Sequence, residues 1–567
     1  MTLTLAADSA KVAEALDGNA FQKVVEDANA KLCERIGTHL ISVPLPALPD
    51  RLASLVSSTN LDSLHYVEDA AWNAKKGCLE GTRNLLIDEL LDWARASNGQ
   101  KADIYWLVDV AGSGKSALAH TIAQRCDEDG ILGSSFFFDR TAGRTSPRAL
   151  ISSLARDMAQ LNDGIADEIS LALQADHGIA RAKSIGYMFN KLVVRPASLC
   201  VITRPVVVVI DALDEGYNDE LLSILRNDVP KLPPVFRFII TSRPDPSLAA
   251  GLVPAKSHSM NIYGESNQAD IATYLHFRLK EIVMTNLKLD RRWPAPHLLH
   301  RLRSMAGGLF LWASTVCDYL AGMIRPDKRL TALLDSLSAS PLPPIRTMDD
   351  LYSKILGSCR WDDEDFVEGY NLVIGTVMVA RTPLTSTGLQ ALLEADTDVS
   401  VKDILKPLAP LLTGVTNDTQ PVQVLHLSFR DFLTVRAKDM KGSERYFIDE
   451  QQHHRSVAWR CLRVLDGVFS AEIPGLGYLQ EFIAPYSNPG LPEPLNTEIA
   501  EAGWYAVDFW LEHVIQIQGS VDYTLVEALQ RFVRLHLISW MEVKAPRSAE
   551  FLLLQFREWL KVHLHII

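Results

Sequence analysis

The feature that most constrains the fold is a glycine-rich loop between an apolar run and a helix-forming run. Residues 105–108 are apolar, residues 117–123 have helical character, and between them the chain reads Asp109-Val110-Ala111-Gly112-Ser113-Gly114-Lys115-Ser116. Glycine lets backbone N–H groups approach a phosphate closely because it has no Cβ, and the amino end of a helix attracts anions. The sequence therefore predicts a strand, a phosphate-binding loop and a helix in succession.

The loop is expected to bind a nucleoside triphosphate together with Mg²⁺. Lys115 would reach the β- and γ-phosphates, and the Ser116 hydroxyl would bind the metal ion. The full set of expected loop contacts is Ala111, Gly112, Ser113, Gly114, Lys115, Ser116 and Ala117. The usual motif begins with glycine, whereas this chain has Asp109 there. Because a carboxylate near phosphates is electrostatically unfavourable, we expect weakened hydrolysis but retained binding.

Acidic residues follow a second apolar run. Residues 206–210 are four valines and an isoleucine, and they lead into Asp211-Ala212-Leu213-Asp214-Glu215. An acid at the carboxyl tip of a buried parallel strand faces the nucleotide crevice. Asp211 is therefore expected to hold Mg²⁺ through water. Asp214 and Glu215 lie one step farther out and are expected to polarise the attacking water.

A third apolar run is followed by a positively charged residue, Arg243. Residues 236–240 lead into Thr241-Ser242-Arg243-Pro244. Arg243 is expected to sense the γ-phosphate or to stabilise charge in the transition state. Together with the runs at 104–108 and 135–138, these segments predict a parallel sheet that helices bury on both faces.

Composition narrows the class of protein. A length of 567 residues predicts three or four domains. The net charge of −13 opposes a general affinity for nucleic acid. Seven singly scattered cysteines lack the close pairs of zinc or redox sites and indicate thiols in a reducing compartment. With no signal segment and no run long enough to span a bilayer, the chain is expected to be cytoplasmic.

The texture of the sequence divides the chain into five regions. They are a helical leader at 1–75, a P-loop NTPase domain at 76–260, a helical domain at 261–340, a region with helices and one strand at 341–440, and an α-helical region at 441–567. The expected fold class is thus multidomain, α/β followed by α. Tryptophans at helical spacing in the last region are expected to form core.

Five short sequence motifs are specific when they occur together. They are Gly112-Ser113-Gly114-Lys115-Ser116-Ala117, Ser135-Phe136-Phe137-Phe138, Ile210-Asp211-Ala212-Leu213-Asp214-Glu215, Thr241-Ser242-Arg243-Pro244 and Gly308-Leu309-Phe310-Leu311-Trp312-Ala313. Together they resemble the NACHT family of STAND NTPases, which are P-loop switch proteins in signal transduction. The resemblance is strongest to the fungal set with a nephrocystin-3-like NACHT module, and it covers residues 75–435.

The resemblance implies site residues at both ends of this range. Before the loop, Thr82 and Arg83 are candidate contacts to the base or ribose, and Thr82 fits a helix N-cap equally well. Residues 425–433 look like the end of the family's winged-helix domain, which the resemblance places at 341–440. There the matching histidine touches the β-phosphate of ADP, so His426 is implied to latch the resting state. The alternative for His426 is a satisfied buried histidine.

The resemblance, together with these residues, implies an ATP-driven molecular switch that binds ATP or ADP. ADP would hold the α/β domain against the winged helix, and exchange for ATP would release that contact for homo-oligomerisation or for protein partners. Turnover would be slow and would reset the switch. The resemblance associates fungal relatives with non-self recognition and programmed cell death. Two alternatives stay open: a non-catalytic nucleotide-binding scaffold or truncated partner subunit, and a metabolic kinase, for which no acceptor motif is evident.

Overall fold

The described part of the chain forms two compact units, one within residues 47–357 and one within 358–567. The computed structural model describes residues 61, 64, 66–96, 103–176, 179, 184–252, 255, 257–286, 289–337, 343–393, 400–471, 473, 498–519, 521–545, 547 and 552–564. Most of the predicted helical leader, residues 1–75, lies outside this description.

A five-stranded parallel sheet organises the first unit. Its strands are β1 (Asp103–Val108), β2 (Leu132–Phe137), β3 (Val206–Asp211), β4 (Phe236–Ser242) and β5 (Ser257–His258). Their order is β2-β3-β4-β1-β5, and every neighbouring pair is parallel. The predicted parallel sheet is confirmed, with four strands within three residues of their expected ends. The sequence did not predict β5, because two residues give no periodic pattern.

Helices cover both faces of the sheet, which is why its strands are apolar. Val206 and Val208 of β3 pack in one cluster of buried side chains, whereas Val207 and Val209 pack in the other. The helices of this part are α1 (Asn84–Arg95), α2 (Lys115–Glu128), α3 (Pro147–Leu161), α4 (Asp163–Ala175), α5 (Ile185–Phe189), α6 (Arg195–Leu199), α7 (Asp219–Ser223) and α8 (Pro246–Gly251). Short 3₁₀ or π turns fill several of the gaps between them.

Five further helices complete the first unit. They are α9 (Glu265–Thr285), α10 (Pro296–Met305), α11 (Phe310–Ala321), α12 (Pro326–Ser336) and α13 (Pro344–Gly357). The helical character expected of the region at 261–340 is thus confirmed for its described residues. An ion pair with an N–O distance of 2.7 Å joins Arg278 on α9 to Asp318 on α11.

The second unit is mainly helical. Its elements are α14 (Glu364–Val379), α15 (Ser386–Leu393), α16 (Val401–Leu405), β6 (Leu412–Thr413), β7 (Gln423–Val424), α17 (Leu427–Asp431), α18 (Glu450–Ser470), α19 (Glu501–Gln516), α20 (Tyr523–Leu535), α21 (Leu537–Lys544) and α22 (Leu553–Leu564). The one strand expected at 341–440 is present as β7 of the short antiparallel pair β6 and β7. It is short because Pro421 and Val422, just before it, pair instead with Thr385 and Leu384.

Large aromatic side chains form the core of the C-terminal helices. Trp510 and Trp540 are fully buried, and their rings meet edge to face at 5.5 Å. Trp504 and Trp559 are less than 10% exposed. The expectation that these tryptophans are core is confirmed, and Trp459 is half-buried beneath the Arg463 guanidinium.

Two buried histidines join α18 to α19. Nδ1 of His454 lies 2.9 Å from Nδ1 of His513, whose Nε2 lies 2.7 Å from the Tyr505 hydroxyl. Burial lowers the pKa of His454 to about 4, helped by nearby arginines, and burial lowers the pKa of His513 well below its ordinary value. Both rings are therefore neutral near pH 7.

Across the described residues, no helix is both long enough and apolar enough to cross a membrane.

Candidate nucleotide-binding site

The phosphate loop connects β1 to α2, as predicted. Gly112 and Gly114 have φ angles of 82° and 95°, a left-handed conformation that glycine adopts without strain. A Cβ on Gly112 would also lie 2.7 Å from Cβ of Leu311. Gly112 is therefore needed both for its backbone angle and for the close approach of α11. The next helix begins at Lys115, so its first N–H groups face the loop.

Lys115 is buried at the centre of the loop. Its Nζ donates hydrogen bonds to the carbonyl oxygens of Asp109, at 2.7 Å, and Val110, at 2.9 Å. Burial lowers the pKa of Lys115 to about 8, opposed mainly by the charges of Asp211 and Asp214. The ammonium group is thus mostly charged at neutral pH and is held where a phosphate oxygen can replace the carbonyls.

Ser116 and Asp211 lie together, although 95 positions separate them in the sequence. The Ser116 hydroxyl hydrogen-bonds the Asp211 carboxylate, which also accepts a hydrogen bond from the Thr241 hydroxyl. Burial raises the pKa of Asp211. A hydroxyl beside a carboxylate supplies the hard oxygen ligands that Mg²⁺ prefers, so the residues present fit the expected metal ion.

The other two acids have different surroundings. Asp214 accepts hydrogen bonds from both the backbone N–H of Arg243, at 2.8 Å, and its Nε, at 2.7 Å. Glu215 accepts a hydrogen bond of 2.8 Å from the backbone N–H of Arg140. Burial raises the pKa of Glu215 to about 7. In this arrangement Glu215 is the better candidate for a general base, while Asp214 and Arg243 neutralise each other.

Asp109, the departure from the usual motif, has its carboxylate fully engaged by hydrogen bonds. Its side chain is buried, and its carboxylate accepts hydrogen bonds from the backbone N–H of Val110 and Met260 and from the Ser259 hydroxyl. These donors occupy both carboxylate oxygens. The expected electrostatic conflict with bound phosphates is correspondingly reduced, because three hydrogen bonds solvate this charge.

Thr82 and Arg83 lie beside the loop. The Thr82 hydroxyl donates to the carbonyl of Leu79 at 2.6 Å, and Arg83 rather than Thr82 occupies the N-cap position of α1, with a φ of 61°. The helix-cap alternative for Thr82 is therefore wrong. Nη2 of Arg83 donates to the carbonyl of Ser113 at 2.7 Å, and its guanidinium lies 5.0 Å from the centre of the Phe310 ring. Their predicted contact with base or ribose stays a prediction.

The remaining predicted contacts are placed as follows. Ala111 lies in the turn of the loop, and Ala117 lies in the first turn of α2, where its carbonyl accepts a hydrogen bond from Thr121. His426 belongs to the second unit and caps α17, with its Nδ1 accepting from the backbone N–H of Ser428 at 3.1 Å. This local role accounts for the histidine in the described arrangement, and the latch stays a prediction.

Sequence reasoning missed several neighbours of the loop. The backbone N–H of Leu311 donates to the carbonyl of Gly112 at 3.1 Å, and Ser259 and Met260 hold Asp109. Leu311 belongs to the motif at 308–313, but that motif does not indicate which residue Leu311 contacts. Ser259 and Met260 follow the two-residue strand β5 and belong to no motif, so the sequence carries no signal for them.

Comparisons with known proteins agree with the sequence resemblance. Residues 81–243 match the family described as nephrocystin 3, N-terminal. A curated relative, the vegetative incompatibility protein HET-E-1 of Podospora anserina, is 25% identical over 365 residues, which are 60% of this chain and 25% of the relative. The match thus spans about a quarter of the relative's length. The predicted resemblance to a NACHT-like fungal family is confirmed.

Solved structures give weaker similarities. A structure of Drosophila ORC bound to DNA has a TM-score of 0.31 and 13% identity, covering 65% of this chain and 94% of that one. A structure of Drosophila ORC bound to poly(dA/dT) DNA and Cdc6 has a TM-score of 0.23 and 12% identity, covering 78% and 70%.

Proposed function

We propose that this chain, which is similar to a NACHT-like fungal family of nucleotide-binding proteins, is a molecular switch that binds ATP or ADP with Mg²⁺ and hydrolyses ATP slowly. The observation that carries the proposal is the convergence of Lys115, Ser116 and Asp211 at the carboxyl edge of a parallel sheet. A buried cation, a helix amino end and a paired hydroxyl and carboxylate together suit a magnesium-bound polyphosphate. When bound, Mg²⁺ would neutralise charge on the phosphates.

The first test is nucleotide binding. We expect purified full-length protein to bind ADP, and Lys115→Ala to weaken that affinity at least about tenfold, because removing the ammonium leaves phosphate charge uncompensated. Lys280→Ala is the matched control, since Lys280 is exposed on α9. Isothermal titration calorimetry measures both. Absence of ADP and ATP binding in the unchanged protein would refute the proposal.

Slow hydrolysis is supported by the state of the acids. Asp214 is engaged by Arg243, and Glu215 is engaged by the backbone of Arg140, so neither is free to orient water until these contacts change. This observation also favours the second candidate, a scaffold that binds nucleotide without turnover. Single-turnover hydrolysis over hours separates the two, because the scaffold releases no labelled phosphate while the switch releases it slowly.

The wider switch is proposed from family similarity. We place a P-loop domain at 76–260, a helical domain at 261–340, a winged-helix domain at 341–440 and a helical region at 441–567. In this scheme His426 contacts the β-phosphate of ADP, and exchange for ATP changes assembly into homo-oligomers or onto protein partners. Particle size by light scattering should increase with ATP over ADP, and His426→Ala should give the larger particle without ATP.

The biological setting is also proposed by similarity. The relative named as a vegetative incompatibility protein suggests a role in fungal non-self recognition, which in a cytoplasmic protein would couple the switch to cell death. Expression of the His426→Ala variant in a fungal host tests this, with growth arrest expected. Normal growth at a protein level equal to that of the unchanged chain would argue against the role.

A further inference from the structure

The carboxylate of Asp109 ties the phosphate loop to a distant segment of the chain. One oxygen, Oδ1, accepts from the backbone N–H of Val110 at 2.7 Å. The other, Oδ2, accepts from the Ser259 hydroxyl at 3.1 Å and from the backbone N–H of Met260 at 3.0 Å. With 7% of its surface exposed, Asp109 is sheltered from competing water. Hydrogen bonds to a sheltered charge are among the stronger ones in proteins.

The segment 259–262, which contains Ser259 and Met260, is itself hydrogen-bonded to the residues that follow it. The buried Asn267 on α9 donates through Nδ2 to the carbonyls of Ile262, at 2.5 Å, and Gly308, at 3.0 Å. Farther along, the backbone N–H of Leu311 donates to the carbonyl of Gly112. The loop is thus held from outside by Asp109 at its start, by Gly112 at its centre and by the bond from Arg83 to Ser113.

We propose that Asp109 is a positioning residue that fixes the phosphate loop to Ser259 and Met260 and so slows the release of a bound nucleoside diphosphate, an inference that rests on the nucleotide-binding function proposed above. A loop already held in shape loses less conformational freedom when phosphate binds. Such preorganisation appears chiefly as slower dissociation.

The competing view treats Asp109 as a repulsive charge. In that view, removing the carboxylate would slow release of ADP, because a negative charge near the phosphates would be gone. The two views differ for Asp109→Asn, which removes the charge but keeps an oxygen that can accept from both the N–H of Met260 and the Ser259 hydroxyl. It loses only the bond from the N–H of Val110, which would face the amide nitrogen. Asp109→Gly removes both charge and contacts.

The experiment measures the dissociation rate of a fluorescent ADP analogue, chased with excess ADP, from the full-length protein. We expect Asp109→Gly to release it about tenfold faster and Asp109→Asn to stay within about threefold of the unchanged protein, since the lost hydrogen bonds to a charged group are individually substantial. Ser259→Ala should release it about threefold faster, and the exposed Ser247→Ala is the matched control.

Slower release from both Asp109 variants would overturn the proposal in favour of repulsion. Equal rates in the unchanged protein and Asp109→Gly would overturn it as well, while leaving the nucleotide-binding function intact. If the unchanged protein does not bind the analogue or ADP, the proposed function fails first. Should Asp109→Gly not fold, judged by thermal unfolding, Ser259→Ala decides in its place, because an unchanged rate there contradicts the positioning role.

Discussion

At the scale of single residues, the site depends on charged groups that are buried yet engaged. Lys115 donates to carbonyl oxygens, Asp211 accepts from hydroxyls, and Asp109 accepts from N–H groups. Each of these side chains therefore has a hydrogen-bond partner before any ligand binds. A buried charge is tolerated only when it is paired or hydrogen-bonded. The loop is therefore ready to exchange these internal partners for phosphate oxygens and Mg²⁺.

The lowered pKa of Lys115 predicts a pH dependence of binding. ADP stabilises the charged ammonium, so in the complex this group should keep its proton to higher pH than its free-protein pKa of about 8. Affinity should be nearly flat from pH 6.5 to 7.5 and should fall above about 8, by at most about tenfold per pH unit. Calorimetry at pH 7, 8 and 9 measures this. Lys115→Arg, which stays charged throughout, should bind with a flat profile, and a decline equal to that of lysine would contradict the assignment.

The raised pKa of Glu215 predicts where hydrolysis depends on pH. If Glu215 accepts a proton from water, it must be ionised, so the hydrolysis rate should rise through about pH 7. Glu215→Gln should lower the rate at least about 100-fold and leave ATP affinity within about threefold, because the isosteric amide cannot accept the proton. Asp219→Asn, an exposed acid nearby, is the control. Full activity in Glu215→Gln would assign the base elsewhere.

At the scale of elements, the junction of β1, the loop and α2 depends on how closely α11 approaches. Gly112→Ala should weaken ADP binding at least about tenfold, because the added methyl group meets Leu311 and the backbone angle is unfavourable for alanine. Gly442 has a similar φ of 84° but open space around it, so Gly442→Ala isolates the cost of the angle. Calorimetry and thermal unfolding compare the two. Equal ADP affinity in both variants would show that contact with α11 is unimportant.

Sequence patterns predicted where strands, loops and helices lie better than they predicted which distant segments contact each other. The valine run of β3 and the glycines of the loop report local requirements, namely burial on two faces and positive φ angles, and these requirements are visible in the residues themselves. Contacts between distant segments leave no such pattern. The tie from Asp109 to Met260 depends on a two-residue strand, and the capping role of His426 depends on a single neighbouring N–H.

At the scale of the whole molecule, the two units should differ in how strongly acid destabilises them. The first concentrates charged groups at the sheet edge and buries His120, whose pKa burial lowers to about 3. The second holds a larger set of histidines whose pKa burial lowers, namely His453, His454 and His513. The second unit should therefore be the more sensitive to acid, since its histidines must remain uncharged in the folded state while the unfolded chain can bind protons.

This difference predicts the pH dependence of stability. The folded-state pKa of His454, about 4, lies below the unfolded value of 6.5. Its stabilising contribution is thus present above pH 6.5 and is lost as pH falls toward 4. Between pH 7 and 5 the loss is about 2 kcal/mol for this group alone. Urea unfolding followed by tryptophan fluorescence measures it. His454→Gln should flatten the profile, and the exposed His297→Gln should not; identical slopes in all three proteins would exclude the histidine as the cause.

The parallel pairing of the first unit has a consequence for how the chain is made. β1 has β4 and β5 as its neighbours, with Asp103 opposite Arg237, and Asp109 meets Met260 across 151 positions. A ribosome that has just synthesised the phosphate loop has not yet made either flanking strand. The loop is therefore synthesised well before the strands and the segment that hold it in place. A nascent chain should not retain nucleotide until residues beyond 260 have emerged from the ribosome.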